Sequence, residues 1–323
     1  MTELVVQTQG LTKRYGKRDV VDRLDLNVAR GEIYGFLGLN GAGKTTTIRM
    51  LMGLIHPTGG SAKLFGRHVP HERMQVMRRI GALVESPSYY AHLSGRDNLR
   101  VLATLLDVPE KRIDEVLAIV RLTGDASRKA GDYSLGMKQR LGIAAALIGS
   151  PELVVLDEPT NGLDPAGIHE IRDLIRSMPR EHGITVLVSS HLLAEIDQMA
   201  TGVGVIHGGR LVFEGPIGDL RARSRGHVAV AVDDPARALA VARASGLPLG
   251  AGEIAGTPEG GAALAGDAHA GPDELVLDSV EPGDAARLVR ELVTGGVSVY
   301  RVEERTRSLE DIFLELTGTE VPV

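Results

Sequence analysis

The run Gly38-Leu39-Asn40-Gly41-Ala42-Gly43-Lys44-Thr45-Thr46 sets glycines at 38, 41 and 43 immediately before a lysine and two hydroxyl residues. Glycines at that spacing let successive backbone N–H groups turn towards one point. A helix predicted over Thr45 to Leu54 brings its positive end to the same point. That is chemistry for a polyphosphate. Lys44 is expected to bridge the β- and γ-phosphates of a nucleotide, and Thr45 to give its hydroxyl to Mg²⁺. Thr46 adds a further hydroxyl, and Asn40, Gly41, Ala42 and Gly43 form the cradle. In isolation the same run is a glycine-rich surface turn; the compact apolar strand Glu32 to Leu37 before it and the helix after it favour the cradle.

Leu153-Val154-Val155-Leu156 is a second short apolar run, closed by Asp157 and Glu158. Adjacent strand residues point to opposite faces, so the two carboxylates are expected to divide the work: Asp157 holds Mg²⁺ and Glu158 polarises the attacking water. A third such run, Ile184 to Val188, leads through Ser189 and Ser190 to His191. His191 is thereby placed at the carboxyl end of a buried strand, where α/β proteins bind ligands.

The elements that position these groups are legible from periodicity. Leu4 to Val28 reads as strands of a small antiparallel sheet, and the three apolar runs read as parallel central strands. Asp164 and Pro165 supply an N-cap and a first-turn proline for a helix towards Arg180, the crossover of a βαβ unit. Residues 86–149 read as an inserted helical subdomain, with Ser94 and Asp97 at capping-box spacing and Pro109 opening the next periodic segment. Val203 to Ile206 and Leu211 to Glu214 flank a His-Gly-Gly-Arg turn and predict a hairpin.

Beyond Asp219 the composition shifts to Ala, Arg and Gly. A domain boundary is placed there, dividing the chain into 1–218 and 219–323. The second part alternates strand-like Val228 to Val232, helix-like Pro235 to Ala244, strand-like Leu275 to Val280, helix-like Pro282 to Val293 and strand-like Val297 to Val302, a small α/β domain. Its Gly/Ala-rich stretch, about 250–271, lacks bulky apolar residues and is read as a flexible loop.

With Tyr133-Ser134-Leu135-Gly136-Met137-Lys138-Gln139-Arg140 preceding the Asp157-Glu158 strand, the order of motifs resembles an ATP-binding cassette ATPase. The resemblance covers roughly 1–218 and implies a P-loop NTPase fold, α/β in class, with an N-terminal antiparallel β-subdomain, a helical insertion and here a small C-terminal α/β domain. It implies that Ser134 and Gly136 open a helix that grips the γ-phosphate bound by an opposite subunit, even though Leu135 and Met137 depart from the usual Leu-Ser-Gly-Gly-Gln wording.

The resemblance further implies that Gly162-Leu163-Asp164 is the D-loop, that His191 is the switch histidine, and that Tyr15 stacks on adenine. Glu85 stands where the family usually has glutamine, near Mg²⁺. As a carboxylate ligand it adds negative charge beside the triphosphate and is expected to strengthen Mg²⁺ dependence. One cassette in the chain implies a head-to-tail homodimer sandwiching two ATP molecules.

The branch resembled exports antibiotics, lantibiotics or drugs, and the ending Ser308 to Leu316, with Ser308 and Asp311 at capping spacing, is similar to the tail of such ATPases. The expectation is therefore an ATPase subunit, using ATP and Mg²⁺, that powers export through a separate membrane permease docked beside the Glu85 loop. The alternative is a cassette ATPase acting on nucleic acid, the ribosome or cluster assembly. Relatives of that kind carry paired cassettes, long coiled coils or zinc-binding cysteines, which this sequence lacks.

Composition sets the remaining bounds. The chain has 323 residues and 43% apolar content, enough for a full core, and no cysteine for disulfides or thiolate metal sites. No apolar run approaches the roughly 20 residues of a spanning helix. A net charge of −6 speaks against a nucleic-acid partner. The expected location is cytoplasmic, peripheral on the inner face of the cell membrane.

Overall fold

A computed structural model describes residues 3–223, 227–244, 254–255, 274–278, 282–305 and 309–316. The chain divides into two compact units, Met1–Gly218 and Asp219–Val323.

In the first unit, β1 (Leu4–Tyr15), β2 (Arg18–Leu24) and β3 (Asn27–Ala29) lead to β4 (Ile33–Leu37) and α1 (Lys44–Leu51). Then follow β5 (Gly59–Leu64), β6 (Arg67–Val69), α2 (Arg73–Met77), β7 (Ile80–Leu83), α3 (Gly95–Leu105), α4 (Lys111–Ile119) and α5 (Leu135–Leu147). The unit continues with β8 (Leu153–Asp157), α6 (Pro165–His182), β9 (Thr185–Ser190), α7 (Leu193–Asp197), β10 (Gly202–His207) and β11 (Arg210–Pro216). β1, β2, β3, β5 and β6 form one antiparallel sheet. The other sheet runs β11-β10-β4-β9-β8-β7, parallel except for the edge strand β11.

β4, β8 and β9 are buried along their whole lengths, because both faces of the parallel sheet are covered. The helix after β4 ends at Leu51, three residues short of the sequence-based expectation; Gly53, at φ 61°, takes the left-handed conformation that stops it. α6 carries both expected start signals: Asp164 Oδ1 accepts from the Gly167 N–H at 2.8 Å, and Pro165 sits in the first turn. In the helical insertion, Ser94 Oγ accepts from the Asp97 N–H at 3.0 Å and donates to Asp97 Oδ2 at 2.6 Å. α5 lies against β7, and Gly81 permits the approach: a Cβ there would meet the Ala146 carbonyl oxygen at 1.9 Å.

α8 (Ile217–Arg223) crosses the unit boundary. The second unit holds β12 (His227–Val232), α9 (Pro235–Ala244), β13 (Ile254–Ala255), β14 (Glu274–Asp278), α10 (Pro282–Thr294), β15 (Val299–Arg305) and α11 (Leu309–Leu316). Its antiparallel sheet has the order β13-β14-β12-β15. Val228, Val230 and Val232 pack with Ala238, Ala242, Leu288 and Leu292 into a core of its own. The stretch 250–271 was expected to be without structure. Ile254–Ala255 is instead a short strand, since pairing with β14 uses backbone groups and needs no bulky side chain. The rest of that stretch, the expected strand end at Ser279-Val280 and the expected cap at Ser308 lie outside the described residues.

The amino ends of the central strands are joined by charge. Glu152, next to β8, accepts from Arg79 Nη2 at 2.8 Å and from Arg30 Nη1 at 2.9 Å, and Arg30 also pairs with Glu3. Hydrogen bonds from Arg79 and then Arg30 hold the Glu152 carboxyl at about 2, against an ordinary value of 4.5. A carboxyl lowered on folding stabilises fully above its unfolded pKa and loses that contribution as pH falls through its folded value. Glu152→Gln is therefore expected to cost about 1 kcal/mol near pH 7, the group being partly exposed. In urea melts, the gap to wild type closes between about pH 4.5 and 2.

Candidate active site

Three loops leave the carboxyl edge of the parallel sheet side by side. Leu37 of β4 pairs with Ser190 of β9, and Asp157 of β8 pairs with Ser189. The glycine-rich loop, Glu158 and His191 therefore start within a few residues of one another. They bound a cleft of about 320 Å³ lined by Asn40, Gly41, Gly43, Lys44, Thr45, Thr46, Glu158 and His191, together with Val20, Leu39 and Asn161.

Gly43 caps α1 at φ 113°, a conformation denied to other residues, and a Cβ there would meet the Val20 carbonyl oxygen at 2.7 Å. The hairpin turn between β10 and β11 braces this loop. The Gly209 N–H donates to the Ala42 carbonyl at 3.1 Å, and the Asp22 N–H to the Gly209 carbonyl at 2.8 Å. Lys44 is 6% exposed; its Nζ donates to the Gly38 carbonyl at 2.5 Å and lies 3.2 Å from Glu158 Oε1. On the same carboxylate, Oε2 accepts from His191 Nδ1 at 2.6 Å. A carboxylate can only accept, so the imidazole carries its proton on Nδ1 and leaves Nε2 for another partner.

Glu158 is not a strand residue. It lies one position past β8 at φ 50°, and its own N–H donates to Ser189 Oγ at 3.0 Å. The separation of the two carboxylates follows from this backbone turn as well as from strand alternation. Asp157 is buried, 2% exposed, and accepts from Ser189 Oγ at 2.5 Å.

Among the described residues no cluster of three or more His, Asp and Glu side chains forms a metal cage. Thr45 lines the cleft and Asp157 does not, its buried carboxylate accepting from Ser189; one hydroxyl and one carboxylate are donors that would suit Mg²⁺ sharing its coordination with phosphate and water.

Other expected residues lie outside this lining. Ala42 is buried, and its N–H is spent inside the loop on the Leu39 carbonyl. Glu85, expected beside the metal, is turned to φ 65° and pairs with Arg49 of α1, which offsets its charge there. Tyr15 is half exposed on the β1–β2 hairpin, with Lys13 Nζ 5.0 Å from its ring centre. Ser134 caps α5, its hydroxyl accepting from the Met137 N–H at 3.3 Å, with Gly136 in the first turn behind it.

Asn161 and Ser189 were not singled out by sequence reasoning. A pair of hydroxyls closing an otherwise apolar strand was the available signal for Ser189, and Asn161 stands only three residues after Glu158.

The sequence model of the ABC transporter family matches residues 21–161. Over 315 residues the chain is 42% identical to the bacitracin transport ATP-binding protein BcrA of Bacillus licheniformis, covering 97% of each. Over 210 residues it is 43% identical to the lantibiotic transport ATP-binding protein SrtF of Streptococcus pyogenes, covering 65% of this chain and 90% of that one. The solved structure of cbiO1 from Clostridium perfringens, part of the ABC transporter complex cbiONQ, is similar with a TM-score of 0.64 at 26% identity, covering 68% of this chain and 91% of that one. With similarity running almost end to end against BcrA, the chain belongs to the ABC transporter family, among its ATP-binding proteins.

Proposed function

We propose that this chain is the ATP-hydrolysing subunit of an exporter of an antibiotic, drug or peptide, working on a separate membrane permease. The observation that carries the hydrolytic part is Glu158, held between Lys44 and His191 at the mouth of the glycine-rich loop. In this reading Lys44 exchanges its contacts with Glu158 and the Gly38 carbonyl for the β- and γ-phosphates of ATP. Glu158, released from the lysine, accepts a proton from the attacking water, while His191 Nδ1–H keeps the carboxylate oriented and Nε2 faces the γ-phosphate. Thr45 and Asp157 would hold Mg²⁺, which would supply positive charge to offset that of the phosphates.

The 1–218 unit serves as the nucleotide-binding domain and 219–323 as an accessory domain. Ser134 and Gly136 lie outside the cleft of their own chain, and a Cβ on Gly136 would meet nothing within 4 Å. Among the described residues no packing demands glycine there, which fits a helix end that receives the γ-phosphate of a second copy in a head-to-tail dimer, with Tyr15 beside the adenine.

The permease is assigned to a cavity of about 340 Å³ between the 88–90 segment and α3, lined by Tyr89, Tyr90, Leu99, Leu102, Leu105 and Leu141. Among the described residues no helix is long and apolar enough to cross a membrane. A separate membrane partner would therefore supply the path, with this subunit on the inner face.

Glu158→Gln is expected to retain ATP binding and lower hydrolysis about 100-fold or more, whereas Lys44→Ala loses binding itself. Filter binding and phosphate release separate the two, and hydrolysis at the wild-type rate in Glu158→Gln would refute the assignment. Leu105, 75% exposed at the cavity, gives the transport test: Leu105→Glu should abolish co-purification with a membrane permease while ATP binding persists. Unchanged recovery of the permease would move the docking site elsewhere.

A further inference from the structure

A further carboxylate is bonded to residues close to Glu158 and His191 in the chain. Glu195 lies on α7 and is 7% exposed. Its Oε2 accepts two hydroxyl protons, from Thr160 Oγ1 at 2.6 Å and from Ser190 Oγ at 3.0 Å. Thr160 and Ser190 are themselves 4% and 1% exposed, and among the described residues no lysine or arginine pairs with Glu195. Burying a carboxylate with only hydroxyls as partners is an expensive way to stabilise a fold, since an apolar side chain of similar size would fill the space at lower cost.

What the contacts join gives the reason. Thr160 belongs to the loop that starts at Glu158 and continues to Asn161 in the cleft, and Ser190 immediately precedes His191. The Ser190 hydroxyl also accepts from the Leu192 N–H at 3.0 Å, so it brackets His191 from both sides. One oxygen atom thus ties the loop carrying the carboxylate to the loop carrying the histidine, outside the cleft lining.

We propose that Glu195 is a positioning residue for hydrolysis: through Thr160 and Ser190 it fixes the spacing of the Glu158 and His191 loops, and so the 2.6 Å contact between those side chains. The inference rests on the ATPase reading above. Glu195 does not line the cleft, and its removal acts on the chemical step more than on binding, because a displacement of an ångström at reacting groups costs rate steeply.

ATP hydrolysis and nucleotide binding by the full chain test this in Glu195→Ala, Glu195→Gln, Thr160→Val and Ser190→Ala. Glu195→Ala is expected to lower kcat about 10- to 100-fold while KM for ATP moves by less than about three-fold. Glu195→Gln keeps an acceptor oxygen and restores kcat to within about five-fold of wild type. Thr160→Val and Ser190→Ala each lower kcat, and neither lowers it further in the Glu195→Ala background, as members of one unit behave.

Wild-type kcat in Glu195→Ala overturns the proposal. So does a parallel loss of kcat and nucleotide binding, the outcome of a purely structural role. Should Glu195→Ala fail to fold, the two hydroxyl variants decide, and wild-type kcat in both overturns it. A wild-type chain that hydrolyses no faster than Lys44→Ala removes the ATPase reading together with this one, whereas a hydrolysing wild type indifferent to Glu195 removes only the clamp.

Discussion

The parallel pairing of β4, β9 and β8 governs the position of every reactive group in this protein. Each strand is buried along its length, and the pairs Leu37 with Ser190 and Asp157 with Ser189 put three strand ends at one edge of the sheet. A slip of one residue in β8 or β9 would draw Asp157 or Ser190 into the apolar layer, so burial fixes the register. The loops that follow inherit that precision. Glu158 needs one more device, a left-handed backbone step stabilised by the Ser189 hydroxyl, which brings its carboxylate between Lys44 and His191.

The two edges of the sheet are held by different forces. At the amino edge, Arg30, Arg79, Glu3 and Glu152 form a partly exposed ionic cluster, and Arg79 also stacks 3.8 Å from the Phe65 ring centre. At the carboxyl edge, hydroxyls of Ser189, Ser190 and Thr160 link Asp157, Glu158 and Glu195 without arginine. Neutral donors hold the Asp157 and Glu195 carboxylates, while Lys44 faces Glu158 at 3.2 Å, a contact that a polyphosphate would exchange for its own.

Features that look outward fit a protein that works in an assembly. The start of α5 is capped, and a side chain on Gly136 would meet nothing within 4 Å among the described residues. The cavity beside α3 is walled by leucines and tyrosines, and Glu85, near its start, is engaged by Arg49. The family match and the near full-length similarity to BcrA give these surfaces their context. The second unit has its own sheet and core.

The sequence by itself determined the identity of the reacting groups and the elements that carry them. Short uniform apolar runs marked β4, β8 and β9, and Asp164-Pro165 and Ser94-Asp97 marked helix starts, because these signals act within a few residues. The tertiary structure decided which of those groups meet. It brought Lys44, Glu158 and His191, more than 30 residues apart at the closest, to one carboxylate, spent the Ala42 N–H inside the loop and gave Glu85 to Arg49. It also found the Glu195 clamp, which no local pattern announced. Sequence spacing records what a backbone does over one or two turns; the contact of side chains from separate strands depends on sheet order and register, and those are fixed only when the whole core closes.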